Sequence, residues 1–238
     1  MKKLLFFTLL LLFFFRSLLP GGAGSVWGLV SDEILKIPVA NAKLMINIGY
    51  TTLTIKSLPN GYYSTFVPEG TGYIITVQMD GYKKKTVRNI DVRNNGFTEV
   101  NIALTPDRIL TLALKGANGK YVCADLGLGG RLVCNRTDVG PWEKFKFIRI
   151  GGTSNTYAII AANGKFVCHD RGQDNILVAN RSNVGEWERF RLFDNGGVIN
   201  LLSSDGKWLT LTNSTTGELK ISPGLATYST TRFARITY

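Results

Sequence analysis

Gly119-Lys120-Tyr121-Val122-Cys123-Ala124-Asp125, then Leu132-Val133-Cys134-Asn135-Arg136, then Gly140-Pro141-Trp142-Glu143-Lys144-Phe145 form a series that the chain contains twice. The second copy reads Gly164-Lys165-Phe166-Val167-Cys168-His169-Asp170, Leu177-Val178-Ala179-Asn180-Arg181 and Gly185-Glu186-Trp187-Glu188-Arg189-Phe190. Matched positions are 45 residues apart, as from Gly119 to Gly164. A third, more diverged copy opens at Asp205-Gly206-Lys207-Trp208-Leu209 and runs through Leu219-Lys220-Ile221 to Phe233. A period of this length marks a repeat architecture, in which a single copy cannot bury its own apolar face. Each copy consists of short runs of Val, Leu, Ile and aromatics broken by Asn-Gly, Gly-Gly or Asp-Gly, the signature of strands joined by tight turns. Four short strands repeated three times predict a closed three-fold β-barrel.

The Gly-Lys-Tyr/Phe-Val start, the Asn-Arg pair and the Gly-x-Trp-Glu-Lys/Arg-Phe end resemble the repeat of fascin-like β-trefoil domains over residues 108–238. No copy carries the Gln-x-Trp of the ricin-type trefoil lectins. The resemblance implies a three-repeat β-trefoil that binds a partner. Fascin-like trefoils bundle actin in some proteins and accompany polysaccharide-active modules in others.

Ahead of the repeats, Lys2-Lys3 precedes an apolar run from Leu4 to Phe15, and small residues follow at Gly21-Gly22-Ala23-Gly24-Ser25. This reads as a secretory signal peptide over residues 1–24, with a mature start near Ser25. A retained membrane anchor is the alternative, but Arg16 and Pro20 interrupt the run before the about 20 apolar residues a spanning helix needs. The mature chain is therefore expected to have no stable membrane span.

Residues 25–105 contain seven strand-like runs: 26–32, 42–48, 51–55, 62–66, 73–79, 86–92 and 98–104. Pro59-Asn60-Gly61, Pro68-Glu69-Gly70, Asp80-Gly81 and Asn94-Asn95-Gly96 supply turn chemistry between most of them. That spacing predicts a seven-stranded antiparallel β-sandwich. Gly28 to Asp32, Pro38 to Ala42, Asn60 to Phe66 and Asp80-Gly81-Tyr82 resemble carboxypeptidase regulatory-like, transthyretin-like domains, with Asn41 where the family usually has Gly. The resemblance implies a non-catalytic spacer or stabiliser. Thr105-Pro106-Asp107 marks the junction, because Pro106 lacks a backbone donor and ends the last strand.

The chain carries a formal net charge of +11. From Arg108 onward there are 17 basic and 10 acidic residues, so 17 − 10 = +7 falls on the repeat unit. A basic unit favours acidic partners, among them anionic polysaccharide, although such charge serves solubility equally well. Export and the lack of any nucleic-acid-binding motif argue against nucleic acid.

Three cysteines, Cys123, Cys134 and Cys168, leave at least one thiol unpaired. A hairpin with its tip near Leu128-Gly129 sets Cys123 opposite Cys134, which offers one cross-strand disulfide; three buried free thiols are the alternative. His169, the only histidine, has Cys168 and Asp170 as neighbours. Adjacent strand residues face opposite ways, so the three cannot act as a catalytic triad, and the matching Ala124 and Leu211 indicate a packing position. No cysteine or histidine spacing fits a metal site, and no cofactor motif is present. Asp125, Asp170 and Glu218 are conceivable glycosidase carboxylates, but most acids alternate with Lys and Arg, as in Trp142-Glu143-Lys144, the pattern of a solvated face. The chain reads as non-enzymatic.

Phe145, Phe190 and Phe233 are expected to form a core layer, with Trp142 and Trp187 plugging the barrel end. The candidate ligand residues are Asp125, Asn135 and Arg136 in the first copy, Asp170, Asn180 and Arg181 in the second, and Trp208 in the third. Arg offers a planar fork to carboxylates or sulfates, and Asn offers a donor and an acceptor to hydroxyls. Turn capping is the competing role for the Asn and Asp residues. Asn135, Asn180 and Asn213 also begin glycosylation acceptor patterns. The expectation is a secreted carbohydrate-binding or adhesive protein whose trefoil engages polysaccharide or surface glycan. The alternatives are an actin- or other protein-binding fascin-like module and an accessory domain pair of a carbohydrate-active system.

Overall fold

The computed structural model describes residues 22–222 and 232–238. The apolar leader lies outside these residues, apart from the last three of its 24 positions. The chain divides into two compact units, one ending at Thr105 and the other beginning at Pro106. Both are built from strands.

Among the described residues the first unit has eight strands: β1 (Ala23–Asp32), β2 (Lys43–Asn47), β3 (Thr52–Lys56), β4 (Tyr62–Pro68), β5 (Gly70–Gln78), β6 (Lys85–Val92), β7 (Phe97–Glu99) and β8 (Ile102–Leu104). They form two four-stranded sheets, β3-β2-β5-β6 and β4-β1-β7 with β8 also on β1. Period-two burial supplies the core. Leu44 and Ile46 of β2 pack with Ile75 and Val77 of β5 and with Val26 and Val30 of β1. The expected seven antiparallel strands are corrected in two respects. The run 98–104 is divided into β7 and β8, and both pair with β1 in parallel rather than antiparallel fashion. Between them the Val100 N–H donates to the Trp27 carbonyl, where Gly28 admits the crossing backbone: a Cβ there would lie 2.1 Å from the Val100 oxygen. Ala23 and Gly24 already pair with Pro68 and Val67.

Among the described residues the second unit has twelve strands, four per repeat: β9 (Ile109–Lys115), β10 (Tyr121–Asp125), β11 (Arg131–Arg136), β12 (Phe145–Arg149); β13 (Thr156–Ile160), β14 (Phe166–Asp170), β15 (Ile176–Arg181), β16 (Arg189–Asn195); β17 (Val198–Ser203), β18 (Trp208–Asn213), β19 (Glu218–Ser222), β20 (Phe233–Thr237). β9, β12, β13, β16, β17 and β20 pair in succession, and β20 returns to β9, closing a ring. The remaining strands make three hairpins, and β11, β15 and β19 pair with one another. The arrangement is trefoil-like.

Three equivalent backbone bonds lock those hairpins together. Ala179 donates to the Gly130 carbonyl at 2.8 Å, Ile221 to Asn175 at 2.8 Å and Cys134 to Gly217 at 2.7 Å. The acceptors all have left-handed backbones, with φ of 86°, 58° and 76°. Glycine is required at two of them, since a Cβ on Gly217 would lie 2.4 Å from the Cys134 oxygen. The core is layered by repeat. Phe145, Phe190 and Phe233 form the expected layer, and Leu132, Leu177 and Leu219 form another.

Candidate functional site

Each of the first two hairpins carries a polar cluster on its outer side. The Asp125 Oδ1 accepts the Gly127 N–H at 3.0 Å and so caps the turn at Leu126–Leu128. Its Oδ2 accepts from Arg136 Nη2 at 2.9 Å. Arg136 Nε stands 3.9 Å from Glu143 Oε1, and Glu143 Oε2 accepts the Gly140 N–H at 2.7 Å. The second repeat builds the same object. Asp170 accepts from Gly172 N at 3.1 Å and from Arg181 at 3.5 Å, Arg181 Nε lies 3.8 Å from Glu188, and Glu188 accepts the Gly185 N–H at 2.7 Å.

The structure thus brings Asp125 to Arg136 and Asp170 to Arg181, and the capping role and the ion-pairing role coexist on each Asp. Asn135 accepts a contact from the Cys123 thiol at 3.7 Å. Asn180 is exposed beside Arg181. Trp208 is half-buried on the third repeat, where its ring leans on Phe193 at 5.5 Å rather than on either cluster. In that repeat Thr212 stands where Asp125 and Asp170 stand, and its hydroxyl donates to Glu218 at 3.1 Å.

Glu143, expected on a solvated face, is instead buried, as is its counterpart Glu188, at 5% and 6% exposure. The signal was the Gly-x-x-Glu spacing, which lets a glutamate reach back to the first backbone N–H of a turn. The two residues expected to plug the barrel end differ in exposure. Trp142 is 41% exposed and Trp187 half-buried, with the Arg171 guanidinium 4.8 Å over the Trp187 ring.

The expected Cys123–Cys134 disulfide is also corrected. A bulge between Tyr121 and Val122 shifts the register, so Val122 faces Cys134 and Cys123 faces Val133. One residue of slip turns the two sulfurs to opposite faces of the hairpin. Cys134 joins the core, Cys123 lies on the face of the Arg136 cluster, and all three cysteines are free and buried. Burial pushes the Cys123 and Cys168 thiols up to about 11.

His169 points away from Cys168 and Asp170. Its Nε2 meets Asn175 Oδ1 at 3.2 Å, and its Nδ1 lies 3.7 Å from Asp205. It is 1% exposed, and burial, only partly opposed by Asn175 and Asp205, holds its pKa below the ordinary value. The Asp205 carboxyl is held low: burial works against this, but hydrogen bonds from Ser203 and Lys207 outweigh it. Among the described residues no group of three or more His, Cys, Asp or Glu side chains could hold a metal ion. Among them no helix is long and apolar enough to cross a membrane.

Residues 25–105 match the family model of the carboxypeptidase regulatory-like domain. Several solved structures align with part of the chain, all distantly. A designed three-fold symmetric protein, ThreeFoil, aligns at 15% identity and a TM-score of 0.46, over 54% of this chain and 97% of that one. The Polyporus squamosus lectin, crystallised with a human-type influenza-binding sialylated epitope, aligns at 15% identity and a TM-score of 0.46, over 54% of this chain and 48% of that one. Cry35Ab1 aligns at 19% identity and a TM-score of 0.45, with 54% and 35% covered. This chain therefore spans about half of the lectin and about a third of Cry35Ab1. No curated protein matches the chain.

Proposed function

We propose that the trefoil-like unit is a non-catalytic carbohydrate-binding module of an exported protein, with its sugar sites at the two Arg-centred clusters and their Trp loops. The observation that supports this most directly is the repetition of one solvent-facing set, in which an Arg side chain that is 45% or 47% exposed lies next to a Trp loop, with Trp142 41% exposed and Trp187 half-buried. One guanidinium against two carboxylates gives the first cluster a formal charge of −1, and Arg171 over the Trp187 ring brings the second to zero. Neither site attracts polyanions, yet each presents N–H donors and carboxylate acceptors to hydroxyls, and the exposed Trp142 adds an indole face on which a sugar ring stacks. This favours neutral polysaccharide over the acidic polymer that net charge alone suggested. Two such sites on one rigid barrel gain by avidity on a polymer.

The test is retention of the full chain on immobilised neutral polysaccharides, with Trp142→Ala, Trp187→Ala and the double variant. Retention that resists salt, weakened by each single change and by at least about tenfold in the double, is expected. Unchanged retention of the double variant would refute the assignment. Co-sedimentation with filamentous actin, without glycan binding, would transfer it to the fascin-like alternative.

A further inference from the structure

The first unit was expected to serve as a spacer, but one face of it has a charge pattern a spacer does not need. Lys43 of β2 lies directly opposite Lys56 of β3, and on its other side opposite Gln78 of β5. All three side chains are on the exposed face, since Leu44 and Ile46 point into the core. Like charges directly opposite one another destabilise a sheet. Lys84 joins them around an open hollow of about 390 Å³, whose lining includes Asn41, Gln78 and a single acid, Asp80. None of the three lysines is in an ion pair with a described residue. Residues 25–105 hold eight basic and six acidic residues, so this is a local concentration of charge in a nearly neutral unit.

The next row along the same face is uncharged and rich in hydroxyls. Thr54 and Thr76 flank Met45, and Thr86 lies beyond Thr76 with their hydroxyls 3.3 Å apart. No exposed large apolar residue stands on β2, β5 or β6. The aromatic at the hollow, Tyr82, is 7% exposed and offers no face for a base to stack on. Membrane insertion and nucleic-acid stacking therefore have no foothold here, whereas fixed positive charge beside a row of hydroxyls suits a ligand that is both anionic and polyhydroxylated.

We propose that the Lys43–Lys56–Lys84 hollow is a binding site for acidic polysaccharide, with a carboxylate or sulfate group seated between the ammonium groups and neighbouring sugar hydroxyls on the threonine row. An anion there attracts both ammonium groups and so offsets the Lys43–Lys56 repulsion. The site stands independently of the one proposed on the repeat unit.

The test measures binding of the full chain to polygalacturonate, dextran sulfate, neutral dextran and a single-stranded oligonucleotide at low and moderate salt. The Lys43→Gln/Lys56→Gln/Lys84→Gln variant is compared with a charge-matched control, Lys36→Gln/Arg93→Gln/Lys146→Gln. The wild type should bind at least one of the two acidic polysaccharides in a salt-sensitive manner, and the tighter of them identifies the anion. The hollow variant should lose about tenfold or more, and the control less than about twofold. Binding of the hollow variant to neutral polysaccharide through the repeat unit should be unaffected, which separates failure of this site from failure of that one. Equal losses in both variants, no binding to either acidic polymer, or equal affinity for the oligonucleotide would overturn the proposal.

Discussion

Arg136 and Glu143 are joined across a loop, with Nε 3.9 Å from Oε1, while the other Glu143 oxygen holds the Gly140 N–H at 2.7 Å. One buried carboxylate thereby fastens the Trp142 loop to its hairpin, and Glu188 does the same for Trp187. Glu188→Ala should destabilise the protein by about 1–3 kcal/mol, because it leaves a backbone donor without its acceptor. Glu188→Gln keeps an acceptor and should lose less than half as much. Chemical denaturation of the two variants checks the order.

Gly217→Ala should be among the most damaging small substitutions. Its φ of 76° strains any side chain, and a Cβ would press on the Cys134 oxygen. A loss of about 2 kcal/mol or more is expected. Gly119→Ala, at a φ of 73° but with no atom within 4 Å of the added Cβ, carries the backbone strain alone and should lose less. Thermal melts of both variants provide the comparison.

The pH dependence follows from His169. Its folded pKa lies below the ordinary 6.5, so the unfolded chain takes up the proton more readily. Stability is therefore full above about 6.5 and declines as pH falls below that value. Asp205 and Glu218, both held low, are sources of stability that is lost only further down, in the carboxylate range. His169→Ala, which restores the first repeat's residue, should flatten the upper decline and leave the lower one. Denaturation midpoints between pH 7.5 and 5 measure this.

All three thiols should be free and slow to react. With burial raising Cys123 and Cys168 to about 11, alkylation of the native protein near pH 8 should be far slower than in denaturant. Peptide mapping without reduction should show no link between Cys123 and Cys134. A link would contradict the register.

An exported form should keep Ala23. Ala23 is buried and pairs with Pro68, so a start at Ser25 would strip two residues from β1. Intact mass of protein recovered outside the cell locates the terminus.

The repeats were legible because Phe145, Phe190 and Phe233, and likewise Leu132, Leu177 and Leu219, keep their type at a fixed spacing, and spacing is a property of sequence. The hairpin register was not. It depends on a bulge beside Tyr121, and a one-residue slip cannot be seen in a string that fits both registers almost equally. The candidate site was half legible. Asp125 with Arg136 and Asp170 with Arg181 emerged from repetition, but Glu143 and Glu188 look like surface acids until the loop folds back on them. In the first unit the parallel β7 and β8 escaped for a related reason: direction of pairing is decided by long-range contacts, and a run of alternating residues carries no arrow.

The ring of hairpin bonds bears on how the chain comes off the ribosome. The Cys134 N–H in the first repeat is hydrogen-bonded to the Gly217 carbonyl in the third, 217 − 134 = 83 residues later, and β9 pairs with β20, the last strand of the unit's ring. The nascent first repeat must therefore wait, with its apolar layer open, until the last strand has been synthesised. Closure so late and over so long a span makes folding of this unit slow, on the scale of milliseconds to seconds typical of non-local β-topologies. During that wait an unpaired β11 or β9 edge is exposed to other chains, and this interval is where chaperones would matter most to the yield of the protein.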